Sequence, residues 1–267
     1  MLRVALGEYD IGWHDPVTSL DRAARLVERA AAAGAELVML PEMCTTGFTM
    51  DVAAQCEPLG GPSVKRLAAI ARESGLYLLA GVATCEPRGA DGGQTGFFNS
   101  ALLFDPSGEV SAHYRKQKLF VYADEQRHYS PGDAPVVVEV KGVRLAPFIC
   151  FDLRYPELFR AVASYVDAML LIANWPRSRR MHWDVLCRAR AIENQCFFLA
   201  VNRTGEGGGL EYDGGSVAYG PFGELVGEGP GAVVEIDPER VGEVRRKYPF
   251  VEDLRFSPLP EAVAAPA

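Results

Sequence analysis

The 267-residue sequence predicts an α/β fold, a four-layer α-β-β-α sandwich built from two similar halves. Three observations lead there. Short, fully apolar runs alternate with amphipathic helical stretches in both halves of the chain, the pattern of buried strands covered by helices. Phe-Asp-Pro-Ser-Gly-Glu-Val at 104–110 is echoed by Tyr-Gly-Pro-Phe-Gly-Glu-Leu at 219–225, and each follows two strand–helix alternations. Pro-x-Gly turns are common, so the echo alone leaves an unrepeated α/β domain equally open. Finally, residues able to do chemistry stand at strand ends in both halves, where open α/β sheets build their sites.

Residues 2–9 predict the first strand. Asp15, Pro16 and Thr18 open a helix to about residue 33, with Leu20, Ala23, Ala24, Val27, Ala30 and Ala31 at helical spacing and Gly34 as its stop. Residues 35–40 form a fully apolar strand that ends in Pro41-Glu42. Pro62 opens a helix to residue 74, Gly75 stops it, and 76–84 is strand. The Gly-rich stretch 86–96 reads as loop, and strands at 97–104 and 109–114 flank a turn at 105–108. Residues 115–133, RKQKLFVYADEQRHYSPGD, show no period of either kind. Such a segment inside a compact domain is usually functional.

Strands at 136–140 and 143–149 then pair around Lys141-Gly142. A helix at 156–165, a strand at 168–174, a helix at 178–194 and a strand at 196–202 follow. A Gly-rich loop at 203–214, a hairpin region at 215–236 and a helix at 238–247 complete a single domain of residues 1–247. The Pro- and Ala-rich tail, 248–267, reads as extended.

Composition narrows the function. With 48% hydrophobic residues the chain can bury a sizeable core, and a net charge of −8 argues against nucleic acid or an anionic membrane as partner. No apolar run reaches the ~18 residues of a membrane span. The opening MLRVALGEYD has neither the basic n-region nor the long apolar h-region of a signal peptide. Cysteines 44, 56, 85, 150, 187 and 196 contain no C-x-x-C pair, so reduced thiols in a cytoplasmic compartment are expected. His14, His113, His128 and His182 lack ligand spacing, and no metal is expected.

The run VRLAPFICFDLRYPEL, 143–158, is a buried strand ending at a strand-to-helix corner that carries Cys150. Free N–H groups at the start of the next helix favour a thiolate there, although a small packing cysteine would look the same. A thiol nucleophile needs a base and a group to hold the charge that develops on its substrate. Glu42 at its strand end suits the first role, since burial raises a carboxyl group toward neutrality, and the Lys116 ammonium suits the second. No histidine is placed to serve as the usual partner of a cysteine, and His182, early in an amphipathic helix, reads as structural.

LPEMCTTGF (40–48), YRKQKLF (114–120) and FICFDLRYPELFR (148–160) resemble, in order, the three signature segments of the nitrilase superfamily of carbon–nitrogen hydrolases. HWDVLCRARAIENQCFF (182–198) and the GPFGE turn resemble that family's later blocks, so the likeness spans roughly residues 3–250. The resemblance implies the nitrilase-like sandwich, a Glu–Lys–Cys triad on Glu42, Lys116 and Cys150, and Glu125 as the family's second glutamate. It also implies an oxyanion held by Lys116 and the N–H of Phe151, no metal or organic cofactor, and at least a homodimer formed through the helical face. Family members often carry His two residues after the lysine, where this chain has Lys118. An inward-facing Lys118 would weaken the assignment of Lys116.

Within the superfamily, CFDLRYPE, ANWP (173–176), ARAIENQ and the ADE…HY segment most resemble ω-amidases, which hydrolyse short α-keto dicarboxylic acid monoamides such as α-ketoglutaramate. Arg154 would then grip the substrate carboxylate, the alternative being a salt bridge to a neighbouring helix. Asn174 and Trp175, at a strand end in the second half, are expected at the pocket. The EGGG stretch at 206–209 reads as plain loop, without the Lys-Ser/Thr ending of a phosphate loop. Other amides of the superfamily, a nitrile, a catalytically idle scaffold and a thiol-redox enzyme stand as alternatives.

Overall fold

The computed structural model describes residues 1–88 and 94–251. Its strands, in chain order, are β1 Leu2–Leu6, β2 Leu37–Met39, β3 Tyr77–Arg88, β4 Gln94–Phe104, β5 Val110–Arg115, β6 Val138–Val140 and β7 Val143–Ile149. They continue with β8 Ala168–Ala173, β9 Phe197–Asn202, β10 Thr204–Gly207, β11 Leu210–Asp213, β12 Val217–Tyr219, β13 Leu225–Glu228 and β14 Val233–Ile236. The helices are α1 Pro16–Ala32, α2 Val52–Gln55, α3 Pro62–Ser74, α4 Pro156–Val162, α5 Arg180–Asn194 and α6 Pro238–Lys247.

Two six-stranded sheets form, in the orders β14-β1-β2-β3-β4-β5 and β6-β7-β8-β9-β12-β13. Read in those directions, both run antiparallel, parallel, parallel, antiparallel, antiparallel. The echoed turns join β4 to β5 and β12 to β13, equivalent places, and a register shift accompanies each, at Leu103/Phe104 and Ala218/Tyr219. The strand after each hairpin, β6 or β14, crosses to the edge of the other sheet. The repeat read from the sequence is therefore a repeat of topology.

Alternation along β1 builds the layers. Leu2, Val4 and Leu6 join the large cluster with Phe148, Leu170 and Leu199 of the second sheet, whereas Ala5 packs with Leu26 and Val27 of α1 and Leu67 and Ile70 of α3. Phe159 of α4 and Trp183, Cys187 and Ala191 of α5 cover the second sheet. Start signals act as their chemistry requires: Asp15 accepts from Thr18 N at the head of α1, and Gly75, at φ 68°, ends α3.

Several expectations need correction. The first strand ends at Leu6 rather than at residue 9: Gly7 N donates to Met39 O of β2, and the Glu8 side chain accepts from Ser216 N. β3 and β4 pair out to Arg88 and Gln94, so both ends of the loop expected at 86–96 are strand, and its middle, 89–93, lies outside the described residues. The stretch expected as loop at 203–214 is the two-stranded β10–β11 hairpin. Its glycines supply the positive φ of the turn, 57° at Gly208 and 77° at Gly209, and polar alternation too weak to read as strand still pairs backbone to backbone. The region at 215–236 is no single hairpin, since β14 leaves for the first sheet. Most of the tail expected to be extended, 252–267, lies outside the described residues. Among those residues no helix is long and apolar enough to cross a membrane.

Candidate active site

Glu42 follows β2 in a tight turn whose backbone leans on β3: Gly81 N donates to Pro41 O at 3.2 Å, and Cys44 N to Gly81 O at 2.8 Å. The approach is so close that a Cβ on Gly81 would stand 2.5 Å from Glu42 Cα. Lys116 comes directly after β5, tied by its N–H to Asn99 O at 2.8 Å. Glu125 lies in the irregular segment, which folds as two 3-10 turns hinged at Asp124, φ 56°. Phe120 N donates to Glu125 Oε2 at 2.6 Å.

These three side chains meet with almost no exposure. Lys116 Nζ lies 3.0 Å from Glu42 Oε1 and 2.9 Å from Glu125 Oε2. Burial pulls the lysine down, but Glu125, Glu42 and Cys150 together outweigh it and hold the ammonium above its ordinary value. Glu42 also accepts from Asn99 Nδ2 at 2.7 Å and from Asn174 N at 2.8 Å. Asn174, expected to face the substrate, spends its amide on the Glu42 turn instead, donating from Nδ2 to Glu42 O at 2.5 Å. It nonetheless lines the cavity.

Cys150 follows β7 with φ 44°, a left-handed conformation rare for a residue with a side chain. The 3-10 turn Cys150–Arg154 is pinned by Asp152, whose Oδ2 accepts from Ile149 N at 2.9 Å and from the Tyr114 hydroxyl at 2.8 Å. Cys150 as a residue is partly buried, and its sulfur lies 3.9 Å from Asn174 O. Burial first, and then Glu42, push its thiol well above the ordinary value, so the sulfur rests protonated beside Glu42. This places the Cys150 thiol, the Glu42 carboxyl group and the Lys116 ammonium, from both halves of the chain, in one cluster.

Lys118 turns away. Its ammonium lies 3.8 Å from Glu157 and over the Tyr155 ring at 4.7 Å, so Lys116 alone of the two enters the cluster.

A cavity of about 330 Å³ opens over Cys150 and Lys116, walled by Trp13, Phe48, Phe120, Trp175 and Tyr212. Phe151, Arg154 and Trp175 line it as expected. Arg154 stacks over Trp175 at 4.9 Å and donates from Nη2 to His182 Nδ1 at 3.1 Å. It does reach the neighbouring helix, but through a histidine. Sequence reasoning missed Arg179, a second guanidinium in the same cavity, over the Phe120 ring at 5.2 Å. Among the described residues neither arginine has a carboxylate within ion-pair distance, and Arg154 is held below its ordinary value by burial and then by Arg179. Two cations facing one cavity without a counter-charge make a place for an anionic group.

Asn99 and Arg203 also escaped notice. Arg203 is fully buried and donates to Ile11 O and Glu206 O at 2.9 Å each, tying the Trp13 loop to the β10–β11 hairpin. The pattern NRTGEGGG gave no cue, because that role depends on partners 192 residues away. Gly207 and Gly208, within the stretch read as plain loop, line the cavity.

The carbon-nitrogen hydrolase family matches residues 3–246. The omega-amidase YafV of Escherichia coli (strain K12) is 35% identical over 94% of this chain and 96% of its own. The 2-oxoglutaramate amidase of Bacillus subtilis (strain 168) is 31% identical over 93% and 95%. Among solved structures, XC1258 from Xanthomonas campestris, a CN-hydrolase superfamily protein with an arsenic adduct in its active site, superposes with a TM-score of 0.87 at 32% identity, covering 97% of this chain and 99% of that one.

Proposed function

The chain belongs to the carbon–nitrogen hydrolase family and is a hydrolase acting on amides, and from that premise we propose that it is an ω-amidase with Cys150 as nucleophile. Its substrate is the terminal amide of a short α-keto dicarboxylic acid monoamide such as α-ketoglutaramate. One observation carries this reading: a buried Glu42–Lys116–Glu125 cluster stands beside Cys150 under a cavity that holds two arginines without a carboxylate partner.

Glu42 takes the Cys150 proton as sulfur attacks the amide carbon. Lys116 and the N–H of Phe151 receive the oxyanion. The C–N bond breaks as Glu42 passes its proton to the departing nitrogen, which leaves as ammonia. Water then gives a proton to Glu42 and its oxygen to the thioester carbon, and the C–S bond breaks with the proton returning to sulfur. Glu125 orients Lys116. The left-handed Cys150 presents sulfur to the cavity, and the two arginines hold the far carboxylate so that only the terminal amide reaches it. The steps use no metal or organic cofactor.

A second reading, a bulkier amide, is favoured by the aromatic lining. A panel of α-ketoglutaramate, N-carbamoyl compounds, aliphatic amides and a nitrile, scored by ammonia release with Cys150→Ala as control, tests both. Turnover of α-ketoglutaramate above the rest, abolished in Cys150→Ala, is expected. Turnover of a nitrile and no amide would sink the ω-amidase reading.

The proposal extends to a homodimer and to a reducing, cytoplasmic compartment. Exposed Met181, Val185 and Ile192 on the outer face of α5 support the first, and six free cysteines the second.

A further inference from the structure

Asn99 sits in β4 opposite Ala83 of β3, and its side chain is fully buried. Its Nδ2 group donates to Glu42 Oε1 at 2.7 Å and to Glu125 Oε1 at 2.9 Å, so both N–H bonds are spent on the two glutamates. Its Oδ1 has no hydrogen-bond partner among the described residues. The amide cannot turn over, because Oδ1 would then confront two carboxylate oxygens at those same distances. A residue kept for packing would do better as leucine, which has a similar shape and buries no unpaired oxygen.

The charges explain the need for this donor. Glu42 and Glu125 together oppose the single Lys116 ammonium in a site without water's screening, which leaves one negative charge unmatched by a cation. Asn174 reaches Glu42 and Phe120 N reaches Glu125. Among the described residues Asn99 is the neutral side chain that bonds to both. Donors of this kind favour ionised carboxylates.

Resting on the reading of Cys150 as nucleophile and Glu42 as its base, the geometry points to Asn99 as a positioning residue that holds Glu42 and Glu125 on either side of Lys116. It thereby keeps Glu42 in place to accept the Cys150 proton. Without it, the two acids lose the donor they share and Glu42 is free to swing away from Lys116 and Cys150.

Asn99→Leu and Asn99→Ser test this, with kcat and KM followed against pH on the best amide of the panel. The rate at which iodoacetamide alkylates Cys150 across the same pH range gives a second readout. For Asn99→Leu, kcat should fall about 10–100-fold with KM within about threefold. The alkylation rate should fall along with kcat, since the base that takes the thiol proton is displaced. Asn99→Ser, which keeps a hydroxyl donor and leaves room for a water, should lose less in both. Profiles superimposable on the wild type, with kcat within about twofold, would overturn the assignment, and the serine variant decides alone if the leucine variant does not fold. Cys150→Ala with retained turnover would overturn the nucleophile reading and this role with it. A dead Cys150→Ala beside unchanged Asn99 variants would remove the Asn99 role alone.

Discussion

The backbone N–H of Lys118 donates to Asp152 Oδ1 at 2.9 Å. The residue two places after Lys116 thus fixes the turn two places after Cys150. The Asp152 carboxyl group takes three hydrogen bonds, from Lys118 N, Ile149 N and the Tyr114 hydroxyl, and so joins three elements at the Cys150 corner.

Asp152→Asn should therefore disable the enzyme without touching substrate. An amide has one acceptor oxygen for three donors, and its NH2 group would face at least one of them. A shift of the corner by even 1 Å can cost on the order of 100-fold in rate. A fall in kcat of about that size, with folding retained by circular dichroism, is expected; wild-type kcat would show that the corner holds itself.

The same carboxyl gives a pH signature in stability. Burial raises it from 3.8 to about 6, against the pull of its backbone donors. Between those values the native state binds the proton more tightly than the unfolded chain. Its contribution to stability is thus fully present below about pH 4 and is lost as pH rises through about 6. The difference in Tm between wild type and Asp152→Asn, measured from pH 4 to pH 7, should change across that window and level off above it. A flat difference would place the titration elsewhere.

Arg154→Met and Arg179→Met should separate binding from chemistry. Each removes a cation from the cavity and leaves Cys150, Glu42 and Lys116 in place. With a carboxylate-bearing amide, KM should rise about 10–100-fold while kcat changes less. With a neutral amide of similar size, KM should move within about threefold. Equal effects on both substrates would assign the arginines to the walls rather than to the substrate.

Lys118→Ala should be nearly silent. Its ammonium serves a half-exposed pair with Glu157 and the face of Tyr155, together worth about 1 kcal/mol. The backbone N–H that matters survives the substitution. Steady-state kinetics should stay within about twofold of wild type, and a loss beyond tenfold would contradict the outward placement.

Gly81→Ala should be as damaging as a change in the cluster itself. The added methyl would meet Glu42 Cα at 2.5 Å and Met43 N at 2.6 Å, backbone atoms that cannot swing aside. Overpacking of this kind costs about 1–3 kcal/mol, and the displaced turn carries Glu42 with it. A lowered Tm together with a lowered kcat is expected; a loss of stability with intact kcat would separate the turn from the chemistry.

By itself the sequence determined the alternation of strands and helices, the echoed turns, and three reactive groups: Glu42 at a strand end, Lys116 at the start of the irregular segment and Cys150 at a strand-to-helix corner. Each of these is a local signal: a period, a cap, a turn, or a reactive residue beside one. Pro62 and Gly75 bound α3 as they stand, because a proline start and a left-handed stop act within one turn of helix. The tertiary structure alone decided which polar groups serve those three. Asn99 meets Glu42 across 57 residues, Asn174 meets it across 132, and Arg203 ties Ile11 to the β10–β11 hairpin across 192. No local pattern encodes such pairs, since each depends on two strands or loops meeting through sheet packing. Arg179 and the direction of Lys118 were hidden for the same reason. A side chain's charge is written in the sequence, but the side of the wall on which it stands is settled by the fold.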